Sequence, residues 1–393
     1  MWVKDREITN SFQPPVLTVE TLMQDACCQV GLNDWGDDDF QAPLAKLIEF
    51  FTDNFPFNDM MHLYFRNSLK TLLVNRLYIQ DNFKTYPEIT QVSIERPLFI
   101  VGLARTGSTL LHRLLAQDPS CRILQYWEML HPFFSPQVGL NHEKLGIKLA
   151  ELKIKEIYAK LPDLHPIHEI SAVEPEECNI LMRHTFCSMH LASEWRLPEY
   201  ARWLAEQDME KSYRFYHKLL QLLLWYKPAE FTVLKCPSHL LNLRTTAKVF
   251  PNANFVWLHR NPHKTIPSYL DLLSVFWGDE TKNKRFIDFI FDYSVQSVNM
   301  GMTMEKEIAC DRFLNVDYKE LISDPAGMVL KIYNYFNYEV DPLMIPNIRA
   351  WLEKNPQHKH GVHKYGLEKF GLNDARINDE FDPYFKTYKA LLQ

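Results

Sequence analysis

The chain has 393 residues, 46% of them hydrophobic, and a formal net charge of −6. That length leaves room for one large domain or two, with a substantial core. The mildly acidic balance speaks against nonspecific nucleic-acid binding, and no apolar run approaches the roughly 18 residues that a membrane span needs.

The N-terminal stretch MWVKDREITNSF is polar and lacks the apolar centre of a signal peptide, so a cytoplasmic location is expected. Seven cysteines are scattered, with Cys27 and Cys28 adjacent and no C-x-x-C pair. They are expected to be reduced, buried thiols in a protein without a metal site or disulfide framework. LTVETLMQDACCQVGL, FQAPLAKLIEFFTDNF and MMHLYFRNSLKTLLVNRLYIQDNFKTYP repeat apolar residues every three or four positions, up to Pro87. This predicts a helical N-terminal segment over residues 1–90, which would cover a sheet or line a substrate entrance.

From residue 91 to 393 the pattern becomes α/β. RPLFIVGL reads as a short strand, and FTVLKCP (231–237), NANFVWLHRNP (252–262) and RFLNVDY (312–318) as three more. Helical stretches such as MEKSYRFYHKLLQLLLWY separate them. Short buried strands with intervening helices predict an α/β fold with a P-loop-like parallel β-sheet flanked by helices on both faces. Ligands of such sheets sit at the carboxyl ends of the strands. Residues 135–200, rich in His, Glu and Met, read as helical and are expected to help form an acceptor pocket.

Three stretches carry the chemistry. In LFIVGLARTGSTLL, Gly102, Gly107 and Thr109 have the spacing of a nucleotide phosphate loop, but Ser108 stands where the lysine belongs. Amides of a strand-to-helix turn point at a bound phosphate, and the helix start adds partial positive charge. Arg105 adds a planar donor fork suited to phosphate or sulfate oxygens. Without the loop lysine a magnesium-bound triphosphate is poorly served. In NFVWLHRNPHKTIPSYL, Arg260 ends a strand, and Ser268 follows on a helix where both could face one anion. In VLKCPSHLLNL, Lys235 ends an apolar strand and needs an anionic partner there. His239 follows at a helix start.

Together these stretches resemble the sulfotransferase superfamily that uses 3′-phosphoadenosine 5′-phosphosulfate (PAPS). IVGLARTGSTLLHRLL is similar to its 5′-phosphosulfate loop, in the variant with Arg where cytosolic members carry Lys. HRNPHKTIPS resembles its 3′-phosphate motif, with Arg260 and Ser268 eight residues apart. LKCPSHL looks like the strand-end lysine segment of the bacterial-type branch, and GVHKYGLEKFGL (361–372) resembles that branch's carboxyl-terminal motif. The likeness runs from about residue 96 to 372.

The resemblance implies in-line transfer of a sulfonate from PAPS to a hydroxyl or nitrogen of a small-molecule acceptor, with the 3′,5′-bisphosphate PAP as product and no metal. Arg105, Thr106, Gly107, Ser108 and Thr109 would hold the 5′ phosphosulfate, and Arg260 and Ser268 the 3′ phosphate. Lys235 would sit by the transferring sulfonate, and Lys364, with His363, would approach the cofactor from the closing segment. Arg105 and Lys235 would stabilise charge on the leaving oxygen. The Lys-x-His pairing of the family's cytosolic branch is absent, because Pro237 takes that position. The catalytic base is therefore sought first at Glu128 and His239, then at His168 and Glu177. The latter two lie in LHPIHEISAVEPEEC, which also carries His165, Glu169, Glu174 and Glu176. The competing readings are a P-loop kinase or NTPase and a catalytically inactive nucleotide-binding protein.

Overall fold

The computed structural model describes residues 17–56, 59–133, 141–356 and 366–392. Five parallel strands form one sheet: β1 (Leu98–Gly102), β2 (Cys121–Ile123), β3 (Phe231–Lys235), β4 (Asn254–His259) and β5 (Phe313–Asp317). Their order is β2-β3-β1-β4-β5. The four strands expected from sequence are present. β2 is an addition, too short at three residues to show a period.

Register decides which side chains share a face. Leu98 pairs with Val233 and Ile100 with Lys235, so these four point to one side of the sheet. On that side Leu111, Leu114 and Leu115 of α4 (Ser108–Leu115) pack with Met328, Val329 and Ile332 of the helix Pro325–Phe336. Phe99, Leu234, Phe255 and Trp257 face the other way. Both faces are thus covered, as near-continuous apolar parallel strands require.

The N-terminal helices α1 (Val19–Val30), α2 (Gln41–Asn54) and α3 (Asp59–Thr85) bury Leu22, Leu47, Phe51, Phe65 and Leu73 in the same core as Phe99 and Trp257. Thr18 caps α1 through its side chain, and Gly31 ends the helix in the left-handed region. After β2 come α5 (Tyr126–Leu130) and α6 (His142–Lys160).

Two glycines make the loop after β1 possible. Gly102 has φ 147°, and a Cβ there would lie 2.8 Å from the Leu258 main-chain oxygen of β4. Gly107 has φ 88° and opens α4 as its N-cap. Both conformations favour a residue without Cβ. All seven cysteines are free; Cys178, Cys187 and Cys236 are buried, whereas Cys28 and Cys310 are exposed, against the expectation of burial.

Candidate functional site

The phosphate loop joins the carboxyl end of β1 to α4, so its amides and the helix start face one concave end of the sheet. Arg105 sits in that loop with φ 71°, a left-handed conformation uncommon outside glycine. The Thr106 hydroxyl donates to the Leu103 carbonyl at 2.8 Å and braces the turn. Ser108 is buried at the first turn of α4.

β4 delivers the second group to the same place. Arg260 follows its last residue and donates through Nη1 to the main-chain oxygen of Arg105 at 2.7 Å. The guanidinium lies 4.2 Å from the centre of the Tyr318 ring, which follows β5. Asn261 caps the next helix, Pro262–Trp277, by accepting from the His263 amide, and Pro262 supplies its first residue. That helix carries Ser268, whose hydroxyl oxygen is 3.2 Å from Nε of Arg105. Arg105, Arg260 and Ser268 therefore meet, although the residues span three separate segments.

β3 supplies the third group. Lys235 is only 1% exposed, with its ammonium 3.5 Å from the Thr109 hydroxyl and 3.0 Å from a Glu177 oxygen. Burial pulls the ammonium down, but the carboxylates of Glu177 and Glu176 outweigh it and hold the group above its ordinary range. Lys235 is therefore a cation throughout the neutral range, at the start of α4.

Glu177 reaches this position through the main chain. The Cys178 amide donates to the Lys235 carbonyl at 3.0 Å, and Pro175 bridges to Gln125. The strip Glu174–Cys178 is thus held between α5 and the end of β3. Glu176 turns inward and lies 3.0 Å from His168 Nε2. Burial pushes its carboxyl up, but the His168 charge overrides this and the group ends well below the carboxylate range. Burial likewise pulls His168 down, and the Glu176 charge lifts it above its ordinary value. Glu177 keeps 30% of its side chain exposed.

The other base candidates occupy different surroundings. Glu128 is 1% exposed and accepts from both terminal nitrogens of Arg122, at 2.6 and 3.0 Å. It also accepts from the Gln125 amide at 3.0 Å, which closes the first turn of α5. Both its oxygens are occupied by this frame, and among the described residues no hydrogen bond or ion pair joins Glu128 to the loop. His239 is fully buried on the opposite side of the sheet from α4, edge-on to Phe99, with the Tyr213 hydroxyl 2.6 Å from Nδ1. Burial depresses it to about 3, so it stays neutral. It too is not brought to the loop. Lys364 and His363 lie outside the described residues. Glu169 pairs with Arg113 of α4, whose Nη2 donates to the Glu169 carbonyl at 2.9 Å.

Sequence reasoning gave no place to Tyr318, and it ranked Glu177, with His168, behind Glu128 and His239 among the bases. The first is a single aromatic after a strand. The second depends on a pairing between residues 58 apart. The Glu128 frame closes α5 as a capping box with Gln125 at the N-cap, where the readable pattern has Ser or Thr, so the sequence did not signal it.

Comparisons with known proteins identify the family. A family model described as sulfotransferase family matches residues 97–342. Over 284 residues, 68% of this chain and 69% of the relative, the sequence is 24% identical to the omega-hydroxy-beta-dihydromenaquinone-9 sulfotransferase Stf3 of Mycobacterium bovis, and equally to that of Mycobacterium tuberculosis. The structure is similar to that of sulfotransferase STF9 from Mycobacterium avium, with TM-score 0.83 and 26% identity over 95% of this chain and 97% of that one. It is also similar to sulfotransferase STF1 from M. tuberculosis H37Rv, with TM-score 0.78 and 28% identity over 94% of this chain and 99% of that one. With the family model covering well over half of its length, the chain belongs to the sulfotransferase family.

Proposed function

We propose that the protein transfers a sulfonate group from PAPS to a hydroxyl or nitrogen of a small-molecule acceptor, with PAP as the product. The carrying observation is the meeting of Arg105, Arg260 and Ser268 at the glycine loop, with Lys235 on its far side at Thr109. The residues fit a donor with two anionic ends. Arg260 and Ser268 would hold the 3′ phosphate. The loop amides from Arg105 to Thr109, with the Ser108 and Thr109 hydroxyls, would hold the 5′ end. When bound, PAPS supplies an activated sulfonate on a phosphate leaving group.

The chain's own residues do the rest. Arg105 and Lys235 offset charge that gathers on the leaving oxygen, from a site that partly excludes water. Glu177 is assigned as the general base, replacing Glu128 and His239. Its carboxylate is partly exposed and within reach of the ammonium beside the transferring group. As Lys235 turns to the donor, Glu177 is freed to accept the acceptor's proton.

A small cleft lies close by, lined in part by Met182, Met189, Leu204 and Met209. Its polar rim is Ser238 hydrogen-bonded to Asn179, and Ser238 contacts Cys236, whose sulfur is 3.9 Å from Glu177. A small apolar acceptor with its reacting group at Glu177 suits this arrangement. The relatives named for an omega-hydroxy acceptor favour a hydroxyl over a nitrogen.

The test is calorimetric titration with PAP in the absence of Mg²⁺, beside Mg²⁺-ATP and an Arg260→Ala variant. Micromolar PAP binding that the variant weakens is expected. Preference for Mg²⁺-ATP would overturn the reading in favour of a kinase or NTPase. Tight PAP binding with no transfer to any of a panel of alcohols would favour an inactive nucleotide-binding protein.

A further inference from the structure

Helix α6 buries one face and leaves a second apolar face in solvent. His142, Gly146, Ala150 and Ile154 recur every four residues and are buried. Gly146 lets the helix approach Trp127 of α5 closely, since a Cβ there would lie 2.4 Å from the indole ring. The outer face carries Leu145, Leu149 and Leu152, all exposed, the last by 54%. At about 100° per residue these three fall within an arc of roughly 60°. Solvated helix faces do not need three aligned leucines.

Charge is arranged around that stripe. Lys144, Lys148 and Lys155 are exposed along one flank of it, and among the described residues none forms an ion pair. Glu151 is the exposed acid on this flank. The other acids of α6 are neutralised locally. Glu143 pairs with Lys227, and Glu156 with Lys153 and Lys160. The start of α3 lies against the C-terminal half of α6, where the Tyr64 hydroxyl donates to Glu156 at 2.6 Å. That part of α3 exposes Met60, by 75%, and Leu63. The chain as a whole carries −6 and would be repelled by an anionic surface, so a leucine stripe flanked by unpaired lysines is a local reversal of sign.

We infer that the outer face of α6, with the start of α3, docks on an anionic lipid surface. The leucines would enter the acyl boundary and the lysines would meet headgroup phosphates. Contact at the surface is the available mode for the described residues, because none of their helices is long and apolar enough to cross a membrane. The inner side of the same helix steadies the segment that carries Glu177. The Ile170 amide donates to the Tyr158 hydroxyl at 2.7 Å, just before the strip Glu174–Cys178. Docking would therefore place the acceptor side of the protein beside the lipid. The inference does not depend on the identity of the sulfonate donor.

The test is flotation of the full chain with phosphatidylcholine vesicles, with and without phosphatidylglycerol. The wild type is expected to float with the phosphatidylglycerol vesicles, less so at high salt. Leu145→Gln/Leu149→Gln/Leu152→Gln should weaken partitioning about tenfold or more. Lys144→Gln/Lys148→Gln/Lys155→Gln should remove the preference for phosphatidylglycerol. Thermal melting of both variants checks that the fold is kept, and the lysine set touches only exposed side chains. A wild type that stays with the soluble fraction would overturn the inference, as would a leucine variant that floats like the wild type. A dimer in sedimentation equilibrium that the leucine variant dissociates, without flotation, would assign the face to a second copy instead. Loss of flotation and loss of PAP binding are separate readouts, so failure of one leaves the other standing.

Discussion

Arg260 donates through Nη1 to the main-chain oxygen of Arg105 at 2.7 Å, so one side chain from the end of β4 holds the phosphate loop in place. Its other nitrogens and the Ser268 hydroxyl face the same end of the sheet. A charge-assisted bond of this kind contributes about 1.5–3 kcal/mol, or about 10–100-fold in affinity. Arg260→Ala should weaken PAP binding by about that factor, read by calorimetry. Arg260→Lys should recover only part of it, because lysine keeps the charge but loses the planar fork over Tyr318. Ser268→Ala removes a neutral donor and should cost less, roughly 2–10-fold. Full recovery in the lysine variant would remove the role of the planar fork; a harmless Arg260→Ala would end the proposal.

Glu177 stands 3.0 Å from Lys235 and keeps part of its carboxylate in solvent. If it takes the acceptor's proton, Glu177→Gln should lower kcat by about 10²–10⁴. PAP affinity should stay near normal, since the loop, Arg260 and Ser268 are untouched. Lys235→Ala should also cut turnover, and it would leave Glu176 and Glu177 with less compensating charge in a buried setting. Both variants break the Lys235–Glu177 pair and should melt earlier than the wild type, Glu177→Gln because it leaves the buried ammonium with Glu176 as its remaining nearby carboxylate. Wild-type kcat in Glu177→Gln would place the base elsewhere.

Glu128 should behave in the opposite way. Its carboxylate is buried in a two-pronged pair with Arg122, and removing one member strands the other. Glu128→Gln is therefore expected to destabilise by about 3–5 kcal/mol in urea unfolding. The folded fraction should retain kcat near that of the wild type. Large loss of kcat with unchanged stability would restore Glu128 as the base.

This contrast shows what the sequence made legible. The loop could be read because glycine spacing, the preceding apolar strand and the following leucines are all local. Arg260 and Ser268 were legible for the same reason, because one strand end and one helix carry both. The parallel sheet followed from apolar runs separated by helical periods. β2 was not legible, since three residues carry no period. The position of Glu177 was not legible either. Glu177 gains its place from a main-chain bond between Cys178 and Lys235, which no local pattern encodes. His239 looked suited because it follows the strand-end lysine closely, but the chain turns it to the far face, against Phe99.

The His168–Glu176 pair sets a pH dependence with a definite sign. Glu176 is lowered in the folded protein, so its contribution is complete above its ordinary value of 4.5 and is lost only in strong acid. His168 is raised, so its contribution is complete below its ordinary value of 6.5 and fades as pH climbs through the raised value. Both terms are therefore present together between those two ordinary values. His168→Gln should lower the melting temperature most in that window, and the gap to the wild type should narrow above neutrality. The other charges facing the pair are Lys235 and Glu177. Because the lysine holds its proton throughout, it cannot produce this change near neutrality. The measurement is a melting series for both proteins from mild acid to mild alkali. A gap that widens with rising pH would mean that His168 is neutral in the folded protein and that the pair is not ionic.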